Sequence, residues 1–256
     1  MTQTKVDSQI WFPGPISPKL AAGSVDIWKI ALNLSASTLE QIEAWLSEEE
    51  HQRASRFRFQ AHQIQFIAAH GCLREILARY LNINPKELQF IASSQGKPSL
   101  ADDFRSTGLT FNLSHSNEWG LVAVAYQRAV GIDIEFIRDG LADEQIARRF
   151  FSEHEVADLL SLPIELRRLA FFNCWTRKEA YIKARGEGLS MPLNAFDVAI
   201  LPGEPVEIIR TRPDPAQALQ WKLYALQPDD GYVAALSVEG QPDLLNCWQW
   251  SDPTCN

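Results

Sequence analysis

The sequence predicts an α+β fold made of two similar halves that meet near Ala129. Three observations lead to this prediction. The order of a strand, then helices, then strands occurs twice along the chain. Each half contains one long helical pattern. A chain of 256 residues, 46% hydrophobic and 22% charged, is large enough for one sizeable core or two small ones.

The lobe boundaries follow from the repeated order of elements, although residue-level similarity between the halves is too weak to prove a duplication. The predicted segments are an N-terminal lobe over 1–128, a polar leader over 1–23 within it, a C-terminal lobe over 129–256 and a tail over 241–256 at its end. In that tail, Trp248 and Trp250 are expected to pack back on the surface.

The first half begins with a strand and continues with helices. Residues 24–33, "SVDIWKIALN", alternate as a strand that is buried on both faces. Ser47 followed by Glu50 is a capping-box signature at a helix start. A long helical pattern covers residues 61–80, and strands are predicted in "LQFIASS", "LTFNLSHS" and "LVAVAYQ".

The second half repeats this order, starting with the strand "AVGIDIEFI". A helical stretch follows around residues 145–151, and Ser152 with Glu155 forms a second possible capping box. Pro163 can open a long helix that ends near Gly186. Later strands are predicted around residues 196–200, 206–209, 220–226 and 232–238.

Composition excludes several classes of protein. The net charge of −8 argues against nucleic acid as the main partner, because binding to phosphate backbones depends on cationic contacts. No segment approaches the roughly 18 apolar residues of a membrane span, so we expect no membrane partner and a cytoplasmic protein. The cysteines lack the spacing of a disulfide framework or a zinc site; they are Cys72, Cys174, Cys247 and Cys255.

Glu179 is the residue that first suggests a functional site. On a helix through "WTRKEAYIKARGEG", it lies between Phe172 and Trp175 on an arc that also carries Phe171 and Ile182. A carboxylate therefore points where a core residue is expected. The alternative is an ordinary surface pair with Lys183, at i and i+4.

Two further carboxylates lie in the strand "GIDIE". Asp133 and Glu135 are two residues apart and share one face, which is either solvent-facing or part of a site. Together with Glu179 they offer three hard oxygen ligands, which suit Mg²⁺ sharing its shell with substrate phosphates. Lys178 and Lys183 flank Glu179 and could hold a polyphosphate.

Other residues carry weaker signals. Ser114 and His115 end the strand "FNLSHS", but no acidic partner or glycine-flanked elbow supports a hydrolase triad. Lys97 and Pro98 lie in the turn "QGKP".

Five motifs together resemble the 4′-phosphopantetheinyl transferases. "GIDIE" and, some forty residues later, "WTRKEAYIKARGEGL" are similar to that family's paired signature, and "QGKP", "FNLSHS" and "RFFSEHE" are similar to its further motifs. Their order resembles the two-lobed, Sfp-like members, over roughly residues 25–238. The resemblance implies two pseudo-symmetric lobes in one chain, an active site between them and a monomer.

The resemblance also implies an activity, which is transfer of the phosphopantetheine arm of coenzyme A to a serine of an apo acyl or peptidyl carrier protein. It implies Mg²⁺ bound by Asp133, Glu135 and Glu179, with Glu179 or Glu155 as the base for the serine. Lys183 is implied as a catalytic residue that holds phosphate, with His115 and Ser114 as further cofactor contacts. Lys178 is implied to support the helix and contact the cofactor, and Lys97 and Pro98 to line the nucleotide pocket.

Two points stay open in the sequence. The helix around residues 61–75 has fewer arginines than many relatives, so Arg53, Arg56 and Arg74 are left to supply charge toward coenzyme A phosphates. Two alternatives to transfer also remain, a catalytically silent module that binds coenzyme A or carriers, and a Mg²⁺-dependent nucleotide pyrophosphatase.

Overall fold

The computed structural model describes residues 10–138, 140 and 144–252. The strands are β1 (Phe12–Pro13), β2 (Ser24–Ala31), β3 (Phe90–Ala92), β4 (Pro98–Leu100), β5 (Leu109–Ser116), β6 (Trp119–Tyr126), β7 (Val130–Phe136), β8 (Phe196–Val198), β9 (Ile208–Thr211), β10 (Trp221–Leu226), β11 (Tyr232–Glu239) and β12 (Leu244–Gln249). The helices are α1 (Ala36–Glu43), α2 (Glu48–Ser55), α3 (Gln60–Leu81), α4 (Asp102–Arg105), α5 (Glu144–Phe150), α6 (Glu153–Ser161) and α7 (Ile164–Arg185).

The two halves share one topology. In each, a first strand leads through two short helices to a 22-residue helix, then to a two-stranded hairpin and two further strands. The three main strands pair in the order β2-β6-β5 in the first half and β7-β11-β10 in the second, all antiparallel. This correspondence confirms the predicted α+β fold of two similar lobes.

Apolar side chains divide the molecule into four layers. One core fills the space between α3 and the first sheet, and another lies between α7 and the second sheet. A third core joins the two sheets face to face, with Ile27 and Ala123 from one side and Ile132, Ile134 and Leu236 from the other. Strand β2 is buried on both faces, as its mixed pattern predicts.

Local signals at the helix ends are confirmed. Ser47 and Ser152 each form a complete capping box, with Glu50 and Glu155 respectively. The long second-lobe helix starts after Pro163, and Gly186 ends it with a left-handed backbone at φ 70°. Within the described residues, no helix has the length and apolar character to cross a membrane.

The segment predicted as a C-terminal tail, residues 241–256, instead contains a strand that belongs to the sheet of the first lobe. Strand β12 runs parallel to β2 and separates it from β1, so the order of the first sheet is β1-β12-β2-β6-β5. Trp250 is buried and its Nε1 donates to Glu75 on α3 at 2.8 Å, while Trp248 packs beside Trp28. The sequence misses this strand because its partner lies about 220 residues away. Residues 253–256 lie outside the described part of the chain.

Candidate active site

The two lobes meet along β5 and β7, which belong to different sheets. Side chains of β5 bridge this seam. The side-chain oxygen of Asn112 accepts from the backbone N–H of Ile132 at 2.8 Å. Further along, Ser114 donates to Asp133 at 2.9 Å and Ser116 donates to Glu135 at 3.0 Å. The first lobe therefore orients both carboxylates that the second lobe presents.

Asp133 is buried at the centre of the seam, with 4% of its surface exposed, which rules out a solvent-facing role. Its Oδ1 accepts from Lys183 Nζ at 2.6 Å as well as from Ser114. Its Oδ2 is buried and has no hydrogen-bond partner within the described part of the chain. A buried carboxylate oxygen in this state is costly, so it is available for a cation or a donor from a ligand.

Glu135 and Glu179 lie close enough to Asp133 to affect each other electrostatically. Burial and the charge of Asp133 raise the pKa of Glu135. Burial, followed by the charge of Asp133, also raises the pKa of Glu179, and Glu135 adds to this effect while Lys183 opposes it. The mutual repulsion shows that the three carboxylates share one region, which α7 and β7 bring together.

The carboxylates do not form a ready-made metal cage. Among the described residues, no group of three or more His, Cys, Asp or Glu side chains is arranged to hold a metal ion. Lys183 pairs with Asp133 instead, and this contact replaces the surface pair with Glu179 that the i, i+4 spacing offered as an alternative. The magnesium site therefore stays a prediction.

Glu155 and Lys178 occupy a different place from the one predicted, because both are fully buried in the core of the second lobe. Lys178 Nζ lies 2.7 Å from Glu155 Oε1 and donates to the carbonyls of Leu193 and Phe196, each at 2.7 Å. Glu155 also accepts from the backbone N–H of Val198 at 2.8 Å. A general base or a contact with coenzyme A needs accessible atoms, so this burial argues against the direct roles predicted for Glu155 and Lys178. The predicted support of the helix by Lys178 is compatible with its contacts.

His115 projects from the other face of β5 and is exposed. Desolvation of the ring lowers the pKa of the His115 imidazole to about 4, and repulsion from His70, Lys183 and His62 contributes. A neutral imidazole can donate to a phosphate oxygen and gain a proton when negative charge arrives. A neutral, exposed imidazole near the end of β5 is compatible with the predicted phosphate contact.

Lys97 and Pro98 line a groove of about 540 Å³ where the hairpin β3–β4 meets the second lobe. Lys97 Nζ donates to the carbonyl of Val130 at 3.1 Å and to that of Ala184 at 3.2 Å. Ala184 lies in the last turn of α7, where a cation complements the helix dipole. Lys97 therefore ties the lobes together and borders the groove.

The burial of Lys97 predicts how the free energy of unfolding depends on pH. Burial lowers the pKa of Lys97 from 10.5 to about 8. Between these two values the unfolded chain holds a proton that the folded chain has released, so the contribution of Lys97 to the free energy of unfolding rises with pH. In urea unfolding, wild type should gain stability relative to Lys97→Met from about pH 8 to about pH 10.5. Lys222→Met, at an exposed lysine, is the control. A difference that does not change with pH would contradict this.

The arginines of the first lobe fall into two groups. Arg53, Arg56 and Arg58 are exposed around the end of α2. Arg74 is buried, and its Nε donates to Glu50 at 2.7 Å while its Nη1 donates to the carbonyl of Leu88. The suggestion that Arg74 supplies charge to coenzyme A is therefore wrong, because its guanidinium is already paired inside the lobe.

Sequence reasoning missed Asn112 and Ser116 as residues of the seam. A signal was present, because Asn112, Ser114 and Ser116 recur with period two and so share one face of a strand whose other face carries Phe111 and Leu113. Such a polar face indicates a partner rather than solvent only when the neighbouring strand is known.

Comparisons with known proteins identify the family of this chain. Residues 129–237 match the family model described as the 4′-phosphopantetheinyl transferase superfamily, and residues 33–127 match the one described as 4′-phosphopantetheinyl transferase, N-terminal. The chain is 42% identical to the 4′-phosphopantetheinyl transferase HetI of Nostoc sp., over 90% of this chain and 94% of that protein.

Further relatives extend this result. The chain is 30% identical to the 4′-phosphopantetheinyl transferase Sfp of Bacillus subtilis, over 82% of this chain and 89% of that protein. Among solved structures, the holo-[acyl-carrier-protein] synthase of Thermotoga maritima matches with a TM-score of 0.36 and 21% identity, over 44% of this chain and 63% of that one. The family models and the two relatives show that the chain belongs to the 4′-phosphopantetheinyl transferases, in their two-lobed, Sfp-like form.

Proposed function

We propose that the phosphopantetheinyl transfer catalysed by this chain takes place at the seam between β5 and β7, with Mg²⁺ held by Asp133, Glu135 and Glu179. The observation that carries this proposal is the buried Oδ2 of Asp133, which has no hydrogen-bond partner among residues 10–138, 140 and 144–252 and lies near two further carboxylates of raised pKa. Such a cluster accumulates negative charge that a bound cation would neutralise.

The residues fit Mg²⁺ by their chemistry. Carboxylate oxygens are its preferred ligands, and it usually takes only one or two of them while it keeps waters and substrate phosphates. The absence of a preformed cage among the described residues is therefore compatible with a site completed by the coenzyme A pyrophosphate. When bound, the ion would stabilise the charge that develops on the pyrophosphate oxygens during transfer.

The protein groups around the cluster have separate tasks in this proposal. Lys183 exchanges its contact with Asp133 for a phosphate oxygen, because its side chain is still 29% exposed. His115 binds a second phosphate group, and the groove beside Lys97 and Pro98 receives the nucleotide. Ser114 stays behind Lys183, since its hydroxyl is buried and already donates to Asp133 while it accepts from Lys183.

Glu179 is the remaining candidate for the base that deprotonates the carrier serine, directly or through water. It is partly buried, and its raised pKa brings it closer to the range in which a carboxylate accepts protons well at neutral pH. Glu155 no longer competes for this role, because none of its surface is exposed.

One experiment separates transfer from the two alternatives. The chain is incubated with coenzyme A and Mg²⁺, with and without an apo carrier protein, and products are followed by mass spectrometry. Transfer gives the holo carrier and adenosine 3′,5′-bisphosphate only when the carrier is present. Cleavage of coenzyme A without a carrier would indicate a pyrophosphatase, and no product in either case would indicate a silent binding module. A panel of fatty-acid, polyketide and nonribosomal-peptide carriers would then identify the natural acceptor.

The carrier docks, in this proposal, on the cationic edge formed by the exposed Arg53, Arg56 and Arg58. An acidic carrier helix complements this edge on an otherwise acidic protein, and such contacts mainly set the rate of encounter. We expect the KM for the carrier to rise with salt, and to rise severalfold in a variant with Arg56→Gln and Arg58→Gln, while kcat changes little. Lys222→Gln is the exposed control. Salt-independent kinetics would instead indicate apolar docking.

The proposed active form is a monomer, because one chain supplies all three proposed metal ligands, Asp133, Glu135 and Glu179. Sedimentation at micromolar concentration is expected to give the mass of a single chain, 28.9 kDa. An obligate trimer would contradict it.

A further inference from the structure

Ser116, the last residue of β5, bonds both the Glu135 side chain and the backbone of β7, the strand that carries Glu135. Its hydroxyl accepts from the backbone N–H of Phe136 at 3.1 Å and donates to Glu135 Oε2 at 3.0 Å. A serine hydroxyl has a single hydrogen, so the backbone donor leaves that hydrogen for the carboxylate. We propose that Ser116 is a positioning residue for transfer, which holds the Glu135 carboxylate toward the acidic cluster; this inference rests on the proposed function.

The spacing along the two strands supports this role. Ser114 and Ser116 are two residues apart on β5, and their partners Asp133 and Glu135 are two residues apart on β7. Because the side-chain period of a strand is two, both serines face the seam in the same way. Asn112 continues the same face, and its side-chain oxygen accepts from the backbone N–H of Ile132. Ser116 therefore bonds a carboxylate of the acidic cluster, whereas Asn112 bonds the backbone of β7.

The position of Ser116 is itself fixed from both lobes. The turn that follows it, Asn117–Glu118, is held by the buried hydroxyl of Tyr232, which accepts from the Asn117 amide at 3.1 Å and from the Glu118 backbone N–H at 3.2 Å. From α3, Gln65 donates to the Asn117 carbonyl at 2.8 Å. A residue anchored on two sides can restrict a longer and more mobile side chain.

Glu135 needs such a restraint more than Asp133 does. Asp133 is a short side chain that is buried and bonded to both Ser114 and Lys183. Glu135 has one more rotatable bond and is only partly buried. Without the Ser116 hydroxyl, its carboxylate would gain rotamers directed away from Asp133 and would bind a cation with less preorganisation.

The test measures the response of the melting temperature to Mg²⁺ in saturating coenzyme A, beside kcat and KM for Mg²⁺ in transfer. We expect Ser116→Ala to raise the Mg²⁺ concentration that gives half of the thermal stabilisation about tenfold. The KM for Mg²⁺ should rise in parallel, and kcat at saturating Mg²⁺ should stay within about threefold of wild type. Ser116→Thr keeps the hydroxyl and should restore both values.

Two further variants separate positioning from a general effect of the seam. Asn112→Ala removes a seam hydrogen bond that touches no carboxylate, so it should lower the melting temperature without moving the Mg²⁺ midpoint. Glu135→Gln should move that midpoint at least as far as Ser116→Ala. If only Glu135→Gln moves it, or if Asn112→Ala moves it equally, the role of Ser116 is disproved while the metal site stands. If Glu135→Gln has no effect, the proposed metal site itself is disproved.

Discussion

Replacing Lys178 with methionine should lower the free energy of unfolding by about 3–5 kcal/mol, which is the usual cost of removing one partner from a buried ion pair. Methionine has a similar volume and keeps the apolar stem, so the loss comes from the missing charge. Without the ammonium, Glu155 stays buried with an uncompensated carboxylate, and the carbonyls of Leu193 and Phe196 lose their donor. The ring of Phe196 also loses a cation at 4.2 Å from its centroid.

Urea unfolding measures this loss, with Lys222→Met as the exposed control, expected within about 0.5 kcal/mol of wild type. A double variant, Lys178→Met with Glu155→Gln, should recover part of the stability because no charge is then left unpaired. If Lys178 instead touched coenzyme A, the single variant would raise the KM for coenzyme A and leave stability nearly unchanged. A loss below about 1 kcal/mol would contradict the buried pair.

This pair also shows what the sequence of α7 could predict. The 3.6-residue period correctly predicts that Phe171, Phe172 and Ile182 are buried. It does not predict that Lys178 is buried on another side of the same helix, where the segment from Leu193 to Phe196 covers it. A charged residue in a helix normally indicates a solvent-exposed face, and only the tertiary packing shows that Lys178 is an exception.

Short-range and long-range signals differ in the same way at the site. The capping box of Ser152 and Glu155 is readable because its partners are three residues apart, and the structure confirms it. The bond from Ser116 to Glu135 joins residues 19 apart across two sheets, and β12 pairs with β2 across the whole chain. Periodicity within one segment contains no information about either partner, so those contacts could not be predicted from the sequence.

Glu179→Gln should reduce transfer roughly 100-fold at limiting Mg²⁺, because the amide keeps the size of the side chain but removes one anionic ligand. The same change should leave the melting temperature at pH 7 equal to or above that of wild type. Burial and the charges of Asp133 and Glu135 raise the pKa of Glu179, which means that the folded protein bears a cost for holding this carboxylate ionised. Glutamine removes that cost.

The raised pKa of Glu179 also makes the stability difference between Glu179→Gln and wild type depend on pH. For an acid whose pKa is raised on folding, stability falls as pH rises from the unfolded value through the folded one. The gain of Glu179→Gln over wild type should therefore be present at neutral pH and disappear below the model-peptide value of about 4.3, where both states are protonated. Glu165→Gln, at an exposed glutamate in the first turn of the same helix, should show neither the loss of transfer nor this pH dependence.

Transfer rate against Mg²⁺ concentration and melting temperature against pH are the two measurements for Glu179. An ordinary surface pair with Lys183 would contribute at most about 0.5 kcal/mol, and its loss would leave transfer near normal. Near-normal turnover by a folded Glu179→Gln at limiting Mg²⁺ would therefore disprove the metal-ligand role. A higher melting temperature of Glu179→Gln at pH 7 together with normal turnover would support the repulsion among the three carboxylates. It would also leave Asp133 and Glu135 as the metal ligands, since Mg²⁺ often uses only two carboxylates.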